Sequence, residues 1–465
     1  MNEKNKVGQT SPVIIIGAGL TGLSTAFFLR SHHIDVIVLE KENRVGGQIH
    51  THTEQGFVFE SGPNTGVLSY PEIVEMFDAL GDACRLEVAR EGAKKRLIWK
   101  RSKFHALPAG LLSAVTTPLF RFTDKLRILG EPWRKKGTNP DETVAQLAAR
   151  RLGKSFVDYA VDPFLSGVYA GDPNRLVTRY ALPKLYNLEQ NYGSFIRGTI
   201  AKAKEPKPER DKKATKQVFS AAGGLNSLVD ALQNYIGTER ILTGVSDTQV
   251  MPDAAGGWQV TFEHQGKRRT VTTRQVVTTT GSYSLPELLP FVDKDAMKQI
   301  NNLYYAPIVQ AAVCLPDEVL PDFQVFGGLI PSREQKEILG ILNPSACFGR
   351  RTAGCGNTLA IFMGGVRHPE YITMTDEQLR EIVLRNLRTM LGINTQPAVI
   401  RFFRHARAIP QYEVTSGERF AAIAAVEEQY KGLYIKGNLC GGIGMGDRIH
   451  QAYLTAESIR KCINN

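Results

Sequence analysis

The chain has 465 residues, a formal net charge of +11 and 42% apolar residues. Those values suit two or three globular domains with a sizeable core, and they exclude a disordered, collagenous or disulfide-stapled chain. The positive charge admits an anionic substrate or an anionic membrane surface; without a nucleic-acid-binding motif beside it, no nucleic-acid partner is expected.

Val13–Ile16 is a β-branched run of the kind found in strands covered on both faces. Gly17, Gly19 and Gly22 follow it as G-x-G-x-x-G, and residues from Leu20 to Ser31 read as a helix. The glycines permit a tight turn, a close backbone approach to a pyrophosphate and close helix–strand packing, while the helix N-terminus favours the phosphates. Val36–Leu39 reads as the next strand, ending at Glu40, where a carboxylate accepts ribose hydroxyls. Arg44, Gly46 and Gly47 then complete E-x-x-x-R-x-G-G, the arrangement of flavoproteins in which FAD lies extended. The alternation of Phe57, Val58 and Phe59 before Gly62-Pro63 suggests a strand ending where backbone meets a flat ligand.

Arg96–Trp99 reads as a short strand. From Phe104 to Phe122 an apolar face recurs at three- and four-residue steps through Leu107, Leu111, Val115 and Pro118. Arg121, Lys125, Arg127, Arg134, Lys135 and Lys136 follow, so the segment reads either as a membrane-interface element or as a core helix, with Pro108 and Pro118 breaking it. Helices are expected over Asp141–Leu152 and Ser155–Leu165, and a solvated or partly disordered loop over Ala203–Lys216. Val218–Leu232 reads as a loop turning into a helix. Arg240–Val250, Trp258–Glu263, Arg269–Thr279, Val309–Cys314, Gln324–Ile330 and Thr358–Met363 read as strands, and Asp376–Leu391 as a helix. The tail repeats the logic of the start, with strand Leu433–Lys436, a glycine loop Gly437–Gly446 and helix Gln451–Ile463.

Six cysteines show no zinc spacing, so free thiols and no metal site are expected. The start lacks an apolar signal region, and no run of about twenty apolar residues occurs. The protein is therefore expected on the cytoplasmic side of a membrane as a peripheral or monotopic protein, or otherwise in the cytoplasm.

Beyond these elements, G-A-G-L-T-G-L, R-V-G-G, H-A-L-P-A-G at His105–Gly110, P-F-L-S-G-V-Y-A-G-D-P at Pro163–Pro173, L-E-Q from Leu188, F-G-G-L-I-P-S from Phe326 and A-I-P-Q-Y from Ala408 occur together. On these motifs the chain resembles the FAD-dependent protoporphyrinogen oxidases of the amine oxidase/phytoene desaturase superfamily, almost end to end. The resemblance implies an α/β fold: a discontinuous Rossmann-like FAD domain (residues 1–90, 205–285 and 405–465), an inserted α-helical membrane-interface and substrate-channel domain (91–204) and an α+β substrate domain (286–404). It implies FAD contacts at Gly17, Gly19, Leu20, Thr21, Gly22, Glu40, Lys41, Arg44, Gly46, Gly47, Gly62, Pro63, Asn64, Thr65, Val245, Asn438, Ile443, Gly444 and Met445. The tail carries Cys440-Gly441-Gly442-Ile443 where the family commonly has an aromatic-Glu-Gly-Val pattern. Arg96 matches the substrate-carboxylate arginine, Gly167 the substrate-facing glycine, and Leu329, Leu342 and Phe362 the apolar residues sandwiching a macrocycle.

The implied reaction is six-electron oxidation of a porphyrinogen, a tetrapyrrole partner, with O2 or another electron acceptor renewing FAD. The flavin carries the chemistry, and no side chain is assigned as catalytic acid or base; His50, His52 and His105 are read as structural or exposed. Protoporphyrinogen IX is the expected substrate, coproporphyrinogen III the alternative, and a flavin amine oxidase or carotenoid desaturase a more distant one. A non-enzymatic flavin-binding role is the reading from another class. A homodimer is compatible with the sequence.

Overall fold

The computed structural model describes residues 11–108, 111–316, 320, 323–349, 351–352 and 356–464. A five-stranded parallel sheet forms first, in the order Ile241–Leu242, Val36–Leu39, Val13–Ile16, Val276–Thr278, Leu433–Ile435. Ile15 pairs with Val38 on one side and Val277 on the other. Val13, Ile14 and Ile15 are wholly buried, as β-branched residues covered on both faces should be. The Leu20–Ser31 helix packs on this sheet beside the final helix, Met445–Asn464, and the two share one apolar core.

The second large element is a seven-stranded mixed sheet. Its order is Val399–Pro410, Tyr305–Leu315, Asn357–Gly364, Gly340–Leu342, Gly327–Leu329, Arg96–Lys100, Lys103–Ala106. Its membership crosses two expected boundaries, because strands from the 91–204 and 399–410 stretches join those of 286–404. One face, with Leu97, Trp99, Val309, Ala311, Ile341 and Ile361, is closed by the Asp376–Leu391 helix. That helix starts in a reciprocal cap, Thr375 accepting from the Gln378 amide and Gln378 from the Thr375 amide. The opposite face looks toward the parallel sheet's loops.

Several sequence-based expectations change. The expected strand Arg240–Val250 splits at Gly244 (φ +67°), Ile241–Leu242 joining the parallel sheet and Ser246–Pro252 a separate antiparallel meander. Arg269–Thr279 splits likewise, into Lys267–Thr273 and Val276–Thr278. Ser155–Leu165 is not one regular helix. Pro163 has no N–H to return to the preceding turn, and the chain widens into a π-helical turn over Val157–Val161 before the Asp162–Val168 helix. Ala203–Lys216 follows a defined path: its Arg210 pairs with Glu72 and Glu75, and its Lys213 with Asp78.

The single apolar face expected from Phe104 to Phe122 does not form. Phe104 lies on a strand against Trp99 and Phe323, and Leu119 and Phe120 turn inward against Ile98 and Tyr159. Among the described side chains of the 104–133 stretch, Leu107, Val115, Phe122, Leu126, Leu129 and Trp133 are exposed, three of them on the Phe122–Leu129 helix at i, i+4 and i+7. The Leu111 and Leu112 side chains lie outside the described residues. Lys100 donates to the carbonyls of Pro118 and Leu119, and Lys125 to those of Val115 and Thr117, so two cations are spent closing this segment. Among the described residues, no helix is long and apolar enough to cross a membrane.

The helices between the two sheets are held by a buried ionic network. Arg151 is fully buried; its Nη1 donates to Glu131 (2.9 Å), its Nε to Glu189 (2.5 Å) and its Nη2 to the Gly193 carbonyl (2.7 Å). Glu131 also accepts from the Phe195 and Ile196 amides, fixing the start of the Phe195–Lys204 helix. Removing one partner strands the other charges in a dry interior. Arg151→Met is therefore expected to cost about 3–5 kcal/mol, seen as a lower urea midpoint by far-UV circular dichroism. An unchanged midpoint would show that the network contributes nothing net.

Candidate functional site

The first turn is built from glycines that touch. A Cβ on Gly22 would fall 1.9 Å from the Gly17 carbonyl oxygen, and one on Gly17 (φ +101°) 2.7 Å from Thr279 Oγ1. Gly19 and Gly46 pair backbone to backbone, and a Cβ on Gly47 (φ +59°) would lie 3.0 Å from the Gly19 Cα. A Cβ on Gly19 itself meets only the Gly47 Cα, at 4.0 Å, so the space before the helix N-terminus is open. That open, glycine-walled cradle is the shape an extended dinucleotide pyrophosphate requires.

Glu40 is buried at the end of its strand. Its carboxylate accepts from the Ala18 amide (2.7 Å) and the Glu42 amide (2.9 Å), which ties the glycine turn to the ribose position. Its carbonyl accepts from Val245, bringing that residue alongside, and Lys41 is exposed next to it. Arg44 does not extend into free space. Its guanidinium donates to the carbonyls of Val45, Gly47 and Ile49, bracing the loop from within. Leu20 and Thr21 are buried in the first turn of the helix.

The middle of the site is the Gly62–Thr65 segment. A Cβ on Gly62 would sit 1.9 Å from the Gln48 carbonyl oxygen, and Asn64 donates to the Gly62 carbonyl (3.0 Å). The tail supplies the other wall. Met445 opens the final helix, Asp447 accepts from the Gly444 amide (3.1 Å), and the buried Tyr412 hydroxyl lies 2.8 Å from the Asn438 carbonyl oxygen. Ile443 is partly buried against the cluster holding Tyr169 and Tyr412.

The seven-stranded sheet presents the remaining residues on one face. Cross-strand register puts Ile98, Leu329, Gly340, Phe362 and Gln310 in one row, and Arg96, Gly327 and Leu342 in the next. Cross-strand partners point to the same side of a sheet, so Leu329, Leu342 and Phe362 share a face with Arg96 at its rim. Gly340 and Gly327 leave this face flat between them. Gln310, which sequence reasoning missed, donates to the Glu60 carbonyl (2.7 Å), and His405 Nε2 lies 2.6 Å from the Ser61 carbonyl oxygen. The apolar row thereby abuts the Gly62–Asn64 segment. Gly167 covers the row from the helical side; a Cβ there would lie 2.4 Å from Leu329 Cδ2.

Arg96 is exposed, 5.6 Å from the Phe326 ring centre, and lines a cavity of 280 Å³ with Lys94, Lys216 and Phe326. Lys94 and Lys216 were also missed. The run Lys94-Lys95-Arg96 was the available signal for the first, whereas Lys216 arrives from a distant segment. The His50 and His52 rings lie 4.1 Å apart, centre to centre, tilted by 39°. Burial holds both below the ordinary histidine value, and Arg44 adds to it; burial lowers His105 too. Burial also pushes the Glu60 carboxyl up, against hydrogen bonds from the Leu225 amide and Thr51.

Three comparisons with known proteins bear on the family and the fold. The flavin containing amine oxidoreductase family matches residues 20–459. The chain is 30% identical to protoporphyrinogen oxidase 1, chloroplastic, of Arabidopsis thaliana, over 97% of this chain and 88% of that protein. It is 24% identical to the coproporphyrinogen III oxidase of Bacillus subtilis (strain 168), over 94% and 96%. Its fold matches the crystal structure of a proposed protoporphyrinogen oxidase from Exiguobacterium sp. 255-15 with a TM-score of 0.78, at 21% identity and covering 97% and 99% of the two chains. The glycine cradle, the buried Glu40 and a family match spanning nearly every element of the site lead to one statement: the chain belongs to the flavin containing amine oxidoreductase family and is an FAD-dependent oxidoreductase.

Proposed function

We propose that the chain oxidises protoporphyrinogen IX to protoporphyrin IX. The observation that carries this reading is the flat apolar face bearing Leu329 and Phe362 in one cross-strand row and Leu342 in the next, with a cation, Arg96, at its rim and Gly167 above it. A broad apolar macrocycle edged with carboxylates is complementary to such a face, whereas a small amine is not. The names of the curated relatives support the same choice.

In this reading residues 1–90, 205–285 and 411–465 form the FAD unit, 107–204 the helical unit, and 91–106 with 286–410 the substrate unit, so that the seven-stranded sheet stays whole. FAD is held by Gly17, Gly19, Leu20, Thr21 and Gly22 at the pyrophosphate, and by Glu40, Lys41 and Val245 at the adenosine end. Arg44, Gly46 and Gly47 shape the loop between. Gly62, Pro63, Asn64, Thr65, Asn438, Ile443, Gly444 and Met445 hold the flavin end. When bound, FAD supplies two-electron acceptor chemistry; three rounds account for the six electrons, with O2 or another acceptor as the final oxidant. The protein's residues bind, orient and exclude water. Arg96 donates charge-assisted hydrogen bonds to a propionate, and the apolar row and the Gly167 helix hold the ring plane in a dry slot. We assign no acid–base side chain.

Coproporphyrinogen III is the second reading. Lys94 and Lys216 around the Arg96 cavity favour it, since they add cations where two further carboxylates would sit. Turnover of both porphyrinogens by the purified protein, followed by porphyrin fluorescence, separates the two. Equal or faster reaction of the four-carboxylate substrate would replace the first reading with the second.

We further propose that the exposed apolar side chains of the 115–133 segment rest on an anionic membrane surface, a peripheral attachment. Double substitution Leu126→Asp with Leu129→Asp is expected to abolish sedimentation with anionic liposomes at low salt. Recovery of the unsubstituted protein wholly in the supernatant would end this proposal.

Two further outcomes are expected. Gly19→Ala adds a Cβ whose nearest protein atom is the Gly47 Cα, at 4.0 Å, so it should fold normally yet purify with weakened absorption bands of oxidised flavin; wild-type flavin content would overturn the assigned pyrophosphate position. Arg96→Ala should raise KM about 10- to 150-fold, the worth of a charge-assisted hydrogen bond of about 1.5–3 kcal/mol, with a smaller change in kcat. A kcat loss at constant KM would remove Arg96 from the substrate contact.

A further inference from the structure

The tail loop that carries Asn438 to Gly444 is gripped by two buried guanidinium groups. Arg419 is wholly buried; its Nε donates to the Leu439 carbonyl (3.1 Å), its Nη1 to the Asn302 carbonyl (3.3 Å) and its Nη2 to Ser416 Oγ (2.9 Å). The Tyr412 and Phe420 rings lie 5.7 and 5.1 Å from it. Arg448, 6% exposed on the second turn of the final helix, donates through Nη2 to the Cys440 carbonyl (3.0 Å) and through Nη1 to Gln451 Oε1 (2.8 Å). Its Nε is buried with no hydrogen-bond partner.

Neither cation has a carboxylate within ion-pairing distance among the described residues. Asp447 and Glu427 hydrogen-bond to other groups. Asp447 accepts from the Gly444 amide (3.1 Å) and Tyr70 (3.3 Å), and Glu427 holds Lys436 (2.7 Å) and the Ile435 amide (2.6 Å). Burial itself lowers the Arg419 proton affinity. Carbonyl oxygens could be satisfied by neutral donors, so two buried, uncompensated charges on one short loop are an expensive way to hold it. The N-terminal end of a 20-residue helix adds positive potential at the same place.

We propose that the uncompensated charges of Arg419 and Arg448 set the reduction potential of the bound flavin, by favouring its negatively charged reduced form over the neutral oxidised form. Interior charges act at low effective dielectric and are little screened by salt, so they reach a neighbouring ring system. The role of both residues is positioning and electrostatic; neither is a catalytic residue. The inference rests on the reading that Asn438, Ile443, Gly444 and Met445 hold the flavin end.

Arg448 is the residue to vary, because Arg419 is fully enclosed and its loss threatens folding. The potential of holoprotein is measured anaerobically at pH 7 against a reference dye, with no porphyrinogen present. Arg448→Met should weaken binding of reduced relative to oxidised flavin about tenfold, a shift of about 30 mV to more negative potential for a two-electron couple. Arg448→Lys should restore most of it. Where Arg448→Met releases FAD, titrating the apoprotein with oxidised and with reduced FAD yields the same ratio. An unchanged potential, or an equal shift in Arg448→Lys and Arg448→Met, overturns the proposal. Wild-type protein that binds no FAD would instead sink the flavin-loop reading itself, and the two failures are distinct.

Discussion

Everything at the cofactor end depends on two backbone segments meeting with no side chain between them. Gly19 and Gly46–Gly47 touch main chain to main chain. Any Cβ at Gly47 would push the loop from the first turn, and Arg44 holds the loop in place by donating to three of its own carbonyls. The contact sets where the strand end at Glu40 lies, because the same carboxylate ties the glycine turn through Ala18. Backbone approach this close cannot be supplied by packing forces alone; it needs the absence of side chains, and then a network that holds the bare backbone.

The two sheets are coupled through a few polar contacts between residues far apart in sequence. Gln310 reaches the Glu60 carbonyl, Gln411 the Tyr169 carbonyl, and Tyr412 the Asn438 carbonyl. Consecutive residues Gln411 and Tyr412 therefore link the end of the Gly167 helix to the tail loop. Ala170, just past that helix, adopts φ +50°, an unfavourable conformation for a residue with a Cβ, and its carbonyl accepts from Val366. The helix over the apolar row is fixed at this end by the strained turn, at its start by Asp162, which accepts from Ser332 and pairs with Arg367, and between them by the buried Leu165.

Much of this was legible in the sequence where the signal was local. Val13–Ile16, Leu20–Ser31 and Val36–Leu39 match their expected bounds, because β-branched runs and glycine turns act over a few residues. The Asp376–Leu391 helix also matches its expected bounds. The errors arose where one apolar or β-rich run serves two sheets, as at Gly244, or where prolines break a face, as at Pro108 and Pro118. Sheet register was not legible at all: that Leu329 and Phe362 flank Gly340 follows from strand pairing, and Lys216 nears Arg96 only through the fold. The path of the 203–216 segment depends on ion pairs with Glu72, Glu75 and Asp78, to which its own composition gives no clue.

The packing of the first helix against the last has a consequence for synthesis. Leu23, Phe27 and Ala26 share a core with Ile449, Ala452 and Ala456, and Phe28 meets Tyr453 edge to face at 5.4 Å. Those partners leave the ribosome more than four hundred residues apart, an interval of roughly 20–85 s at about 5–20 residues per second. For that time the side of the Leu20–Ser31 helix that meets the final helix has no native cover, although the Asn226–Ile236 helix reaches another side sooner, and the strand Val13–Ile16 lacks its neighbour at Val276–Thr278 for most of it. The cradle is thus made long before it is closed, so the nascent chain's demand for chaperones should centre on the Leu20–Ser31 helix.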